Sequence, residues 1–351
     1  MYVTDSWFAG AFAEEVNRKP MQRTLLDEPI VFYRTESGAP VALGDVCPHR
    51  RAPLHLGRVF GDSIACPYHG LRFDPSGQCV HNPNFNNAPP SVRARQYPVV
   101  ERDDVIWVWM GDAAKADASK IISFDEVVGS ERCTVVRGYL NIKAAEPLIS
   151  DNLLDLSHAE FLHPYLANPG FNGRLQQTVR QEGDRVFSLY SMQNEPLTPI
   201  LSNLWDKPPI EKADLRFNMR WDLPSCLLLE IGATPPGRDQ SEGITAWSSH
   251  LLTPETESST HYFWTFARDS KLADAALSEQ LRSGVSQAFI AEDALIIEWQ
   301  QKYSTVSSLP PSPRRLLPGD RGGALARQVV ERILASRQSP GGRVIQTGSI
   351  S

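Results

Sequence analysis

Apolar and polar residues alternate in short runs through about the first 110 residues. Pro29–Arg34 (PIVFYR) is one such run. Glu36-Ser37-Gly38 follows as a turn, and Val41–Leu43 predicts the returning strand. Val99–Met110 (VVERDDVIWVWM) predicts a hairpin that turns near Arg102–Asp104. Helical periodicity is scarce here, so this part predicts a small all-β unit. The polar, Ala-rich stretch Gly111–Lys120 reads as a connection. Beyond it the types mix. Pro147–Leu162 predicts a helix stopped by Pro164. Arg185–Gln193, Asp214–Trp221, Cys226–Ala233, Ile244–Thr253 and Ser258–Arg268 predict strands, with Pro235-Pro236-Gly237 as a hairpin loop. Leu277–Tyr303 is the longest helical pattern, Pro310–Pro318 breaks the chain, and Ala324–Ser336 predicts a last helix. No internal repeat is visible. The expected class is α+β, divided as 1–115 and 116–338, with a flexible tail at 339–351.

Composition narrows the function classes. Among 351 residues, 35 are basic and 41 acidic, a net charge of −6. That disfavours a generally basic nucleic-acid binder. The longest apolar runs, such as Val105–Met110, fall far short of a membrane span. Met1–Gly10 lacks the charged and apolar regions of a secretory signal. Five cysteines in so long a chain make a poor disulfide scaffold. A reduced, cytoplasmic setting is expected.

The cysteines and histidines carry the chemistry. Cys47-Pro48-His49 and Cys66-Pro67-Tyr68-His69 form the pattern C-x-H-x16-C-x2-H. Each half offers one thiolate and one imidazole. Zinc fingers ordinarily pair like with like, so structural zinc is the weaker reading. Mixed pairs suit a binuclear [2Fe–2S] cluster, with both cysteines on one iron and both histidines on the other. Cys79, Cys133 and Cys226 lie outside this pattern and read as bystander thiols.

A second cluster lies in Asp151–His163 (DNLLDLSHAEFLH), which holds Asn152, Asp155, His158 and His163. On a straight helix two histidines five apart diverge by about 140°, so sharing one metal needs a bulge or a helix end between them. Pro164 makes such a distortion plausible. A chain about three times the size of a one-electron carrier also needs somewhere to send the electron. Two histidines and one carboxylate make the expected ferrous oxygen-activating site. With Asp293 at 0° on a regular helix, Phe289 and Ile297 lie about 40° to either side, and Ile290 and Ile296 about 60° away. Asp293 thus falls inside an apolar face, where an acid is costly unless paired or metal-bound. Glu292, about 100° away, sits at the edge of that face as the weaker candidate, and Glu298, about 140° away, faces out. A pure electron-transfer protein, a different class, would have no use for Asp293.

The text around these residues resembles the Rieske non-heme iron oxygenases. CPHRRAPL at Cys47–Leu54 and CPYHGLRFDPSGQCV at Cys66–Val80 look like their Rieske domain. DNLLDLSHAEFLH and Glu292–Gln300 (EDALIIEWQ) look like the iron-bearing helices of the vanillate O-demethylase, dicamba monooxygenase and toluenesulfonate methyl-monooxygenase branch. The resemblance implies an N-terminal all-β Rieske domain and a C-terminal antiparallel-sheet, helix-grip (START-like) catalytic domain. It maps His158, His163 and Asp293 onto the ligands of a mononuclear Fe(II). Asp155 maps onto the aspartate that bridges a cluster histidine of the neighbouring subunit and an iron histidine of its own, and Asn152 onto an amide near the iron. It further implies a head-to-tail homotrimer fed by a separate flavin/iron–sulfur reductase. The implied reaction is O2-dependent hydroxylation of a methoxy or methyl carbon of an aromatic acid, with formaldehyde release for a methoxy group. Methyl hydroxylation of an aryl sulfonate and N-demethylation are the alternatives, since HLLTPETESSTHYFW resembles the toluenesulfonate relative too. His250 matches a substrate hydrogen-bonding position, and Leu229 stands where the dicamba relative has a substrate-binding Asn. That departure counts against dicamba-like substrates. Trp264, Tyr262 and Trp299 are candidate pocket aromatics.

Overall fold

The computed structural model describes residues 1–83, 91–124, 132–308 and 316–338. The expected tail 339–351 and most of the Pro310–Pro318 break lie outside the described residues. Up to Met110 the described residues form three small antiparallel sheets, with short 3₁₀ turns as their only helix. Asp103 and Asp104, both at positive φ, make the tight turn joining Val99–Arg102 to Val105–Met110. The Gly111–Lys120 connection carries two short 3₁₀ turns, each capped by an aspartate, Asp112 and Asp117.

The second part is built on one seven-stranded antiparallel sheet. Its spatial order is Thr134–Ile142, Ser259–Arg268, Ile244–Thr256, Cys226–Thr234, Ala213–Asp222, Arg185–Glu195 and Gln176–Glu182. Both faces are covered, so the strands read as near-continuous apolar runs. Leu227, Ile231, Leu252, Tyr262 and Trp264 point into the core shared with the helices. Their neighbours Leu228, Leu251 and Phe263 point the opposite way and pack against Trp7, Trp107 and Trp109 of the N-terminal unit. Backbone bonds from Leu26 N to Pro254 O and from Asp27 N to Glu255 O, 2.8 and 2.9 Å, tie the two parts further.

Among the described residues six α-helices complete the fold: α1 (Glu146–Leu154), α2 (Ala159–Leu162), α3 (Pro199–Leu204), α4 (Ala275–Gln287), α5 (Ala294–Ser304) and α6 (Arg321–Gln338). Two differ from expectation. The predicted Pro147–Leu162 helix is broken at Asp155, whose backbone is extended (φ −115°, ψ 99°). Its carboxylate caps the next turn by accepting from Ser157 N at 2.9 Å. The predicted Leu277–Tyr303 helix is interrupted by a π-helical segment, Ala288–Asp293. The wider turn shifts the phase of all that follows. Asp293 and Ile297 are buried as expected, but Ile290 and Ile296 are 55% and 42% exposed. Among the described residues, no helix is long and apolar enough to cross a membrane.

Candidate metal centres and active site

The first centre is held by two loops of matching design. Cys47 N donates to Ala52 O and Arg51 N to Cys47 O; Cys66 N donates to Leu71 O and Gly70 N to Cys66 O. Both loops therefore turn through their fifth residue at positive φ, Arg51 at 58° and Gly70 at 73°. A Cβ on Gly70 would meet Pro83 Cγ at 2.8 Å, so the second loop admits only glycine there without displacement. The loops bring the His49 and His69 rings to 4.7 Å between centroids, while Cys47 and Cys66 are buried. Burial pushes the Cys47 thiol up to about 11, against the His49 and Arg50 backbone N–H groups, which favour the thiolate. A thiolate buried there needs cationic partners. The donors of a tetrahedral zinc lie roughly 3.3–3.8 Å apart at ordinary bond lengths. Among the described residues, only His158, His163 and Asp293 place three such atoms within 4.8 Å of one another. The cluster loops instead set imidazole beside imidazole and thiol beside thiol, a pairing that suits two irons.

The second centre uses the break at Asp155. His158 ends a 3₁₀ turn and His163 lies just past α2. The interruption that a straight helix would lack lets their rings meet edge to face, 5.1 Å apart. Asp293 Oδ1 is 3.1 Å from His163 Nε2 and 3.5 Å from His158 Nε2. Ligands in neighbouring positions at bonds of about 2.1 Å stand roughly 3 Å apart, so the spacing fits one transition-metal ion. The outer ring nitrogens set the tautomers. His158 Nδ1 donates to Asp155 O at 2.6 Å, and His163 Nδ1 to Glu292 Oε2 at 2.6 Å. Both Nε2 atoms are thereby left with lone pairs facing one carboxylate, an arrangement that a cation resolves. Burial lowers the His158 pKa. Burial opposes protonation of His163 too, but Asp293 and Glu292 outweigh it and hold that value up. Asn152 Nδ2 donates to Asp293 Oδ1 at 3.1 Å and fixes the carboxylate.

Asp155 differs in one respect from the resemblance. Within its own chain its backbone carbonyl, not its carboxylate, receives His158, while the carboxylate caps the next turn through Oδ1. The buried Tyr190 hydroxyl spans this break, donating to Leu154 O at 2.9 Å and accepting from Leu156 N at 3.3 Å. Glu292, ranked below Asp293 on a regular helix, is the residue that sequence reasoning undervalued. The π turn turns adjacent carboxylates, 292 and 293, onto the two nitrogens of a single imidazole.

Beside His158, His163 and Asp293 lies an apolar cavity of about 220 Å³, walled by Phe171, Phe217, Met219, Leu229 and Phe289 among others. A cavity of roughly 150 Å³ accommodates benzene, so this one suits a substituted single ring. Leu229 and His250 both line it. Tyr262 and Trp264 do not: they are core residues, while Trp299 is 45% exposed. His250 is 1% exposed, with Nδ1 2.6 Å from the Tyr262 hydroxyl. Nδ1 is the one acceptor found for that hydroxyl among the described residues, so the hydroxyl donates and Nε2 carries the ring proton. His250 Nε2 has no partner among the described residues and stands as a donor at the cavity wall.

Residues 6–98 match the Rieske [2Fe-2S] domain, and residues 142–336 match the vanillate O-demethylase oxygenase C-terminal domain. The dicamba O-demethylase oxygenase component of Stenotrophomonas maltophilia is 37% identical over 85% of this chain and 87% of its own length. The toluene-4-sulfonate monooxygenase iron–sulfur subunit TsaM1 of Comamonas testosteroni is 34% identical over 95% of this chain and 97% of its own. The crystal structure of dicamba monooxygenase bound to 3,6-dichlorosalicylic acid superposes with a TM-score of 0.88 at 34% identity, covering 96% of this chain and 99% of that one.

Proposed function

The chain belongs to the Rieske oxygenases that carry the vanillate O-demethylase oxygenase C-terminal domain, and from that premise we propose that it hydroxylates a methoxy or methyl carbon of an aromatic substrate. It is the oxygenase component of a Rieske non-heme iron monooxygenase, with a [2Fe–2S] cluster, a mononuclear iron, a separate reductase and a small-molecule substrate. One observation supports the reading above the others: two imidazole lone pairs and a carboxylate converge at an apolar, ring-sized cavity.

In this reading Cys47, His49, Cys66 and His69 hold the cluster, and His158, His163 and Asp293 hold the iron. When bound, these groups supply single electrons and activate O2 for insertion into a C–H bond. The chain's own residues do the rest. The apolar walls exclude water and seat the ring. His250 donates its Nε2 proton to an acceptor on the substrate, and Leu229, on the adjoining strand, lines the same wall. Asn152 keeps Asp293 in place. Hydroxylation of an aryl methoxy carbon gives a hemiacetal, which releases formaldehyde and leaves a phenol.

An aryl methyl ether acid is the first candidate, by likeness to the O-demethylases. A second reading, an uncharged N-alkyl or O-alkyl arene, is favoured by the cavity lining, which contains no Lys or Arg among the described residues. A head-to-tail trimer, in which Asp155 meets a cluster histidine of the next copy, gives the exposed aromatics Tyr68, Phe161, Trp299 and Tyr303 a surface to be covered by. We propose that the units divide at 115/116 and that the protein works in the cytoplasm, a reducing setting that suits five free cysteines. The test is formaldehyde release with a surrogate reductase across methoxybenzoates, their methyl esters, aryl sulfonates and N-methylanilides, alongside iron content. About three irons per chain fit an oxygenase; two fit an electron carrier.

A further inference from the structure

We propose that Glu292 is a positioning residue for the mononuclear iron, holding His163 in its metal-binding tautomer from the side opposite the metal. The inference rests on the ferrous site above and concerns a residue that is not one of its ligands. His163 is 3% exposed and has a carboxylate at each ring nitrogen: Glu292 Oε2 at 2.6 Å from Nδ1, and Asp293 Oδ1 at 3.1 Å from Nε2. A neutral imidazole has one N–H and must give it to one of them. Given to Asp293, it would close the site, tying up a ligand lone pair and the ligand carboxylate in one hydrogen bond. Given to Glu292, it leaves Nε2 and Asp293 both open to the ion. Both partners are carboxylates, and the shorter contact, to Glu292, selects the open arrangement.

The two ligand histidines are unequal in this respect. His158 donates to a neutral peptide carbonyl, Asp155 O. His163 donates to a full negative charge, which pushes electron density toward Nε2. His163 is therefore the anchoring ligand. Both carboxylates stand at the end of the π-helical segment Ala288–Asp293, which carries them to the two sides of the ring. Glu292 is 30% exposed on its side chain, so replacing it leaves the core intact.

The experiment is anaerobic titration of the iron-depleted mononuclear site with Fe(II), read by the ferrous-nitrosyl electron paramagnetic signal in the full, cluster-loaded protein. Glu292→Gln is expected to raise the Fe(II) dissociation constant by about 10–100-fold, and Glu292→Ala by at least as much, with the Rieske signal unchanged. The rhombicity of the nitrosyl signal is expected to change in Glu292→Gln, which a merely structural role would not cause. Dissociation constants for both variants within about threefold of the parent's overturn the inference, since an orienting partner is worth at least tenfold. Failure of the underlying reading looks different: the parent protein then binds no Fe(II) at this site, and Asp293→Ala behaves as the parent does.

Discussion

His250→Leu is expected to change how stability depends on pH, and its size follows from the burial of one ring. Burial lowers the His250 pKa from 6.5 to about 3. In the unfolded chain the residue takes up a proton near its ordinary value; in the folded protein it stays neutral until far lower pH. The unfolded state therefore binds more protons between those values, and stability falls as pH falls through that window. Integration from pH 7.5 to pH 5 gives about 2 kcal/mol lost at this residue alone. His250→Leu removes that loss. It also strands the buried Tyr262 hydroxyl, which has no other partner among the described residues, at a cost of about 1–3 kcal/mol. The variant is thus less stable than the parent at pH 7.5, and the gap closes by about 2 kcal/mol at pH 5. Adding Tyr262→Phe removes the stranded hydroxyl and recovers stability at pH 7.5 without restoring the pH slope. Denaturant midpoints at matched pH, read as differences from the parent, cancel the contributions of the cluster and of the other histidines. A gap that stays constant between pH 7.5 and pH 5 would refute a neutral, buried His250.

Other outcomes follow from the same geometry. Asp293→Ala is expected to keep the Rieske spectrum and abolish product formation, whereas Cys47→Ser is expected to lose the cluster itself; visible spectra and turnover separate the two. Tyr190→Phe removes the hydroxyl that bridges Leu154 O and Leu156 N, and is expected to cost about 1–3 kcal/mol and to speed amide exchange at Leu156. Unchanged exchange there would mean that the break at Asp155 is held by other contacts. Leu229→Asn adds a donor to the cavity wall and is expected to raise kcat/KM for a methoxybenzoate relative to its methyl ester by about 10–100-fold, the worth of a hydrogen bond to a charged group. An unaltered ratio would place the carboxylate elsewhere.

Much of this was legible in the sequence because it is local. The two cysteine–histidine pairs carry their spacing with them, and the later strands announce themselves as apolar runs between turn residues. Asp293 stood out because an acid inside an apolar helical face demands an explanation. What escaped was phase. A fixed 100° per residue put Ile290 and Ile296 inside and Glu292 at the margin, whereas the π turn leaves both isoleucines largely exposed and turns Glu292 onto His163. Nothing in Ala288–Asp293 signals that turn, and the contacts that accompany it, Glu292 and Asp293 on one ring, are tertiary. The break at Asp155 was half visible, through Pro164 and the awkward histidine spacing. Its mechanism, a side chain capping the next turn under a tyrosine from a distant strand, was not.

The seven-stranded sheet has one consequence for how such a protein can change. Along Ile244–Thr256, Ser248, His250 and Leu252 face the cavity side, while Leu251 between them packs on the tryptophans of the cluster-bearing unit. The same alternation runs through Leu227–Leu229 and Tyr262–Trp264. One strand thus serves two clients on strictly interleaved positions. Substrate range can drift, or be randomised in a library, at every second residue while the surface that seats the electron carrier keeps its original alphabet. A single-residue insertion in any of these strands would exchange the two sets and end both tasks together.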